Sequence, residues 1–210
     1  MAHEKTFKVP PNKLETEIAA LVDDIQLIAG QWACFRSLFD VIRSGALKLS
    51  PHALSLICET LVDGVVLGLC RITEKTSVCG KETLVIDRFH HPTSASAELR
   101  QAINNFKEAA KQCVRLRNDV LAHRNRSVAI GAEPFPKLHR REIESAVDAA
   151  RIVVQLLPIE RIAIWMEADA WVQNVATQTE RICNALLFAQ SHPDFSRGTK
   201  ISDSAGTGKK

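Results

Sequence analysis

The chain has 210 residues, of which 46% are hydrophobic and 24% charged, a balance too apolar for a disordered protein and sufficient for one domain with a substantial core. A net charge of +3 says little about partners by itself, but residues 115–141 carry seven cations against two carboxylates, net +5, so the remainder is about neutral or slightly acidic and the positive field is concentrated in one segment. The six cysteines (Cys34, Cys58, Cys70, Cys79, Cys113, Cys183) are scattered, with no Cys-x-x-Cys pair, and read as buried, reduced thiols of a cytoplasmic protein rather than as a disulfide framework.

Residues 1–12 are polar, without the apolar core of a signal peptide, and are expected to form an N-terminal extension. Leu14, Ile18, Leu21, Ile25, Ile28, Trp32, Phe35, Leu38, Phe39 and Ile42 step by three and four, which predicts one long amphipathic helix from about Lys13 to Arg43, with Gly45 as its stop. Ser50-Pro51 supplies an N-cap and a proline at the first helical position for a second helix to about Glu74. Its apolar residues cover more than one stripe, so it is expected to be central, and Gly64 and Gly68 suggest close approach of a neighbour. The most apolar run, Ala53 to Cys70, is interrupted by Glu59 and Asp63, too costly at a bilayer centre, so no membrane span is expected.

Periodicity fails from Lys75 to Pro92, and this stretch reads as a loop docked on the core through Leu84-Val85-Ile86. A third helix begins near Ser94 or Ser96 and carries Leu99, Ile103, Phe106, Ala110, Cys113 and Val114 to about Arg124. Gly131, Pro134 and Pro136 enforce a loop. A fourth helix spans about Arg140 to Leu157, with Ile143, Val147, Ala150, Val154 and Leu157 on one face, and a fifth about Glu160 to Gln190, with Ile164, Trp171, Val175, Ile182, Leu186 and Leu187. Residues 191–210, rich in Gly, Ser and Lys, read as a disordered tail. No strand pattern appears, so the expected fold is an all-α bundle of about five helices over residues 13–190, a single domain.

The chemistry concentrates where the third helix ends, in Arg115-Leu116-Arg117-Asn118-Asp119-Val120-Leu121-Ala122-His123-Arg124-Asn125. Arginine binds and neutralises phosphate, histidine exchanges protons near neutral pH, and asparagine can orient either. RNA carries its own nucleophile, the 2′-hydroxyl, so a nuclease built from these groups needs no metal. His123 is the candidate general acid or base, Arg117 the phosphate clamp and Asn118 the supporting polar group. Arg115, Arg124 and Arg126, with Arg71 at the end of the second helix, are the candidate substrate-binding cations. The competing account makes the arginines a solvated basic face favoured by the helix dipole, with His123 a capping residue and Arg71 a cation at its own helix end.

On an ideal helix, at about 100° per residue, positions 117 and 123 point about 120° apart. Either the arginine reaches round, or the helix distorts at its end, or a second copy of the motif completes the site across a dimer. Asp119 lies one turn before His123 and one turn after Arg115, and either orients the imidazole or pairs with the arginine. Other candidates are weaker. His90-His91 has no acidic or cysteine neighbours at ligand spacing, so no metal site is expected. Trp32, Trp165 and Trp171 lack basic–aromatic alternation and read as core or interface rather than as base-stacking platforms. Gly206-Thr207-Gly208-Lys209 lacks the upstream glycine and the following Ser/Thr of a phosphate-binding loop.

Arg117-Asn118 followed by Ala122-His123 resembles the motif of the HEPN superfamily (higher eukaryotes and prokaryotes nucleotide-binding), and more narrowly its abortive-infection U-type branch. The Trp32/Phe35/Leu38/Phe39 pattern and Leu69-Cys70-Arg71-Ile72-Thr73-Glu74 extend the similarity, which covers most of residues 13–190 in layout. The chain departs from the branch at Asn125, where an aspartate is usual, and at Glu74, where Thr-Asp is expected. The resemblance implies a HEPN-like helical domain, Arg117 and His123 as catalytic residues with Asn118 in support, a homodimer with facing motifs, and RNA as substrate without a cofactor. It further implies a defence or toxin role and a neutralising partner, an antitoxin or a nucleotidyltransferase. The expected activity is that of a metal-independent endoribonuclease. The alternatives are a non-catalytic RNA- or nucleotide-binding module on the same bundle, acting as sensor or partner protein, and a purely structural helical partner.

Overall fold

The computed structural model describes residues 13–45, 51–78, 81–89, 95–122, 137–157 and 162–192. Residues 1–12 and 193–210, Ser50, Ser94, Gly131, Pro134 and Pro136 lie outside them, so the readings placed there stand as expectations. The fold is an all-α bundle of five helices: α1 (Lys13–Arg43), α2 (Pro51–Ile72), α3 (Ala97–Leu116), α4 (Arg140–Leu156) and α5 (Ile162–Ser191).

Helix α1 buries Ile18, Leu21, Val22, Ile25, Ile28, Ala29, Trp32, Phe35 and Leu38, most of the three-and-four stripe its sequence carries, while Phe39 and Ile42 are partly buried and Leu14, in the first turn, is exposed. It stops where Gly45 takes φ +68°, and the Gly45 N–H donates to the Ile42 carbonyl at 3.0 Å, a left-handed cap that glycine adopts without steric cost. Helix α2 runs antiparallel along it: Gly64 faces Gln31, Gly68 faces Ile28, and Arg71 pairs with Asp24. Its face toward α1 and α3 buries Leu54, Val65, Val66, Leu69, Cys70 and Ile72, whereas Leu56, Ile57 and Leu67 are exposed. The second apolar stripe therefore does not make α2 central, because among the described residues no neighbour covers that side.

The segment before α3 docks as expected, with Val85 buried just ahead of a 3₁₀ turn over Ile86–Phe89 that buries Ile86 and Phe89. Arg88 bonds Glu17 of α1 at 3.2 Å, and Lys107 of α3 pairs with Asp87. A feature without a periodic signal is the two-residue antiparallel ladder Ser77–Val78 with Lys81–Glu82, too short to show alternation. Helix α3 opens at Ser96, whose Oγ accepts from the Leu99 N–H at 3.0 Å. In α4, the Glu142 carboxylate accepts from the His139 N–H at 2.7 Å, reaching back over the first turn.

One apolar cluster joins α1 to α4 and the docked turn, and a smaller one unites Leu38, Leu54 and Cys183. Among the described residues no polar or charged residue is buried. Trp32 belongs to the core, stacked on Phe35 with ring centroids 5.1 Å apart. Trp171 is instead 41% exposed, its ring lying across Gly30, and α5 buries Cys183 rather than Ile182, which is 62% exposed. Val175, Leu186 and Leu187 keep the inward side expected of them, and the departures are one-residue offsets, Val172 and Cys183 packing inward beside Trp171 and Ile182. By length and apolarity α1 and residues 52–72 are able to cross a bilayer; here both contribute to the common core.

The α1–α2 approach yields opposite effects at its two glycines. A Cβ at Gly68 would meet Ile28 Cγ1 at 2.6 Å, inside the core, whereas at Gly64 it would meet the flexible Gln31 amide at 3.0 Å. Gly68→Ala is expected to destabilise by about 1–2 kcal/mol, overpacking outweighing a helix-propensity gain of about 1 kcal/mol. Gly64→Ala should leave stability unchanged or raise it by up to about 1 kcal/mol. Thermal unfolding of the two variants beside the parent checks the difference in sign.

Candidate active site

The stripe Leu99, Ala102, Ile103, Phe106, Ala110, Cys113 and Leu116 turns one face of α3 inward. That phase leaves Arg115 outward, its side chain 64% exposed, and sets Arg117 at the rim of the core, 31% exposed. At Arg117 the helix changes. Its N–H reaches both the Cys113 and Val114 carbonyls, and Arg117–Ala122 forms a π-helical turn, in which the ladder spans five residues instead of four. Asn118 and Asp119, both poor helix formers, sit at this junction. The helix end is thus distorted over Arg117–Ala122. His123, Arg124 and Arg126 lie outside the described residues, as do His90 and His91.

The Arg117 guanidinium is held on two sides: Nη2 donates to Glu74 Oε1 at 2.7 Å and Nη1 to Asn118 Oδ1 at 3.0 Å. Glu74 lies just beyond α2, its side chain 28% exposed, on a turn where the Glu74 N–H donates to the Arg71 carbonyl and the Thr73 hydroxyl to the Cys70 carbonyl. The site thus joins the ends of α2 and α3. Asp119 pairs with Arg115, Oδ2 to Nε at 3.6 Å. Arg71 turns away toward Asp24, Nη2 to Oδ1 at 2.6 Å, with its side chain 56% exposed. Glu74, not Arg71, is the α2-side group that meets Arg117.

Beneath the pair lie two thiols. Burial pushes Cys70 up to about 11, opposed by nearby Arg117 and reinforced by Glu74. Burial pushes Cys113 up to about 12, with Cys70 and Glu142 adding to the effect. Both are free and stay protonated at neutral pH, so they form an inert floor rather than nucleophiles. Among the described residues no three His, Cys, Asp or Glu side chains converge as metal ligands.

Glu74 is the residue sequence reasoning passed over, except as a departure from Thr-Asp. The signal was present: a carboxylate beside a helix C-terminus faces the negative end of the dipole and calls for a compensating cation.

The HEPN family model AbiU2 matches residues 12–158, a span that takes in α1 to α4, the docked turn and the motif and ends before α5. No curated protein and no solved structure matches the chain.

The two thiols carry a pH signature. Because both are raised in the folded state, their contribution is fully present below the ordinary thiol value near 9 and is lost as pH rises through about 11 to 12. The unfolding free energy from urea titrations should fall between pH 9 and 11, by on the order of 1 kcal/mol per thiol and pH unit at most, and fall less in Cys113→Ala. At pH 8, both cysteines should resist a thiol reagent until the protein is unfolded.

Proposed function

The chain belongs to the AbiU2 family of HEPN proteins, and from that premise we propose that this abortive-infection HEPN module is a metal-independent endoribonuclease whose active site is built on Arg117, Asn118 and His123. The observation that carries the reading is the presentation of Arg117. Its guanidinium is partly exposed, oriented on two sides, and placed at the start of the turn that leads in sequence to His123.

In this reading the RNA 2′-hydroxyl attacks the adjacent phosphorus and the 5′-oxygen of the next nucleotide leaves. Two protons move, one off the 2′-hydroxyl and one onto the leaving 5′-oxygen; His123 carries one of them as general base or general acid and water carries the other. Arg117 neutralises the charge that grows on the non-bridging oxygens, where a pre-oriented donor acts without reorganisation. Asn118 steadies the arginine. The products are a 2′,3′-cyclic phosphate and a 5′-hydroxyl. Arg115, Arg124 and Arg126 supply the cationic track for the RNA backbone, a salt-dependent contribution. Two copies with facing motifs form the working unit in the cytoplasm, with a neutralising antitoxin or nucleotidyltransferase as partner.

Labelled RNA incubated with the full chain in excess EDTA is expected to yield fragments with cyclic-phosphate ends. His123→Ala and Arg117→Ala should each lower kcat by about 100-fold or more. Absence of cleavage by the parent protein, with RNA binding retained, would overturn the nuclease in favour of the binding module.

A further inference from the structure

Glu74 spends a carboxylate on the arginine that the proposed chemistry relies on, and it does so at a position its own helix disfavours. Among the described residues, the pair is the side-chain hydrogen bond that ties Arg117 to the end of α2. We propose that Glu74 is a positioning residue for Arg117, one that fixes the orientation of the guanidinium and, through its charge, moderates how tightly that arginine holds an RNA phosphodiester. The inference rests on the nuclease reading of the same site.

The donor count supports both halves of the role. A guanidinium has five N–H groups in a rigid fork. Glu74 takes one on Nη2 and Asn118 one on Nη1, so among the described residues three remain for a phosphate. The two acceptors lie on different terminal nitrogens and therefore determine the rotation of the fork as well as its place, which a single contact would not. With both partners about 30% exposed, the pair is accessible to substrate yet partly withdrawn from water, where a neighbouring negative charge is felt by an incoming anion. Removing the charge and removing the contact should therefore have different consequences.

Glu74→Gln keeps an acceptor oxygen and removes the charge, whereas Glu74→Ala removes both. Binding is read by fluorescence anisotropy on a single-stranded RNA whose 2′-oxygens are methylated, which cannot be cleaved by 2′-hydroxyl attack. Turnover is read on the unmethylated RNA at the same ionic strength. Glu74→Gln is expected to bind about three- to fivefold tighter than the parent, and Glu74→Ala to lose about tenfold in kcat without weaker binding. The gain in binding should vanish when Glu74→Gln is combined with Arg117→Ala. Equal binding by Glu74→Gln and the parent, or an undiminished kcat in Glu74→Ala, overturns the proposal. If Glu74→Ala does not fold, the isosteric Glu74→Gln and its combination with Arg117→Ala decide by binding alone. A parent protein that binds but never cleaves defeats the nuclease reading and leaves the binding comparison to rule on Glu74.

Discussion

Ile103, Phe106, Ala110 and Cys113 have no exposed surface, and their burial fixes the rotation of α3 more firmly than any polar contact in the molecule. Each large apolar side chain withdrawn from water contributes about 1.5–3 kcal/mol, and turning the helix to present another face would forfeit several of them together. Once that rotation is set, Leu116 is the last inward residue. Arg117 emerges beside it at the rim, next to the end of α2, while Arg115 faces solvent. The position of the candidate phosphate clamp is thus a consequence of packing that involves no charge at all.

The charges then work around an apolar core. The ion pairs sit at the edges where elements meet: Arg36 with Glu144, Arg140 with Asp40, Arg88 with Glu17, Arg71 with Asp24 and Arg117 with Glu74. Exposed pairs of this kind contribute little to stability individually; what they specify is which helix ends lie side by side. Arg140 also stands over the Phe39 ring at 5.8 Å, so the basic segment is partly anchored to α1. In the positive stretch 115–141, Arg117 and Arg140 have anionic partners outside it, Glu74 and Asp40. The net charge of that stretch therefore overstates the field an approaching RNA would meet from these two residues.

Much of this was legible in the residues. The α1 stripe, the Gly45 stop, the Ser96 cap and the inward faces of α3 and α4 all follow from local spacing and cap chemistry, which are short-range and carried by the order of side chains. The Arg-Asn element was legible as well, together with the family it resembles. Less legible were α2 and α5. The two apolar stripes of α2 suggested a helix surrounded on all sides, and the pattern of α5 favoured burial of Trp171 and Ile182. Periodicity states that a face is apolar but not that a neighbour arrives to cover it.

By itself the sequence determined the helices, their approximate ends, and the chemical character of the Arg117-Asn118 element, because hydrophobic period and capping act over a few residues. The tertiary structure alone decided that Glu74 meets Arg117 across 43 positions of chain, that Arg71 looks to Asp24, and that the helix widens at Arg117. Those outcomes depend on how α2 and α3 are packed and rotated against the core, a long-range result of burial that no local pattern encodes.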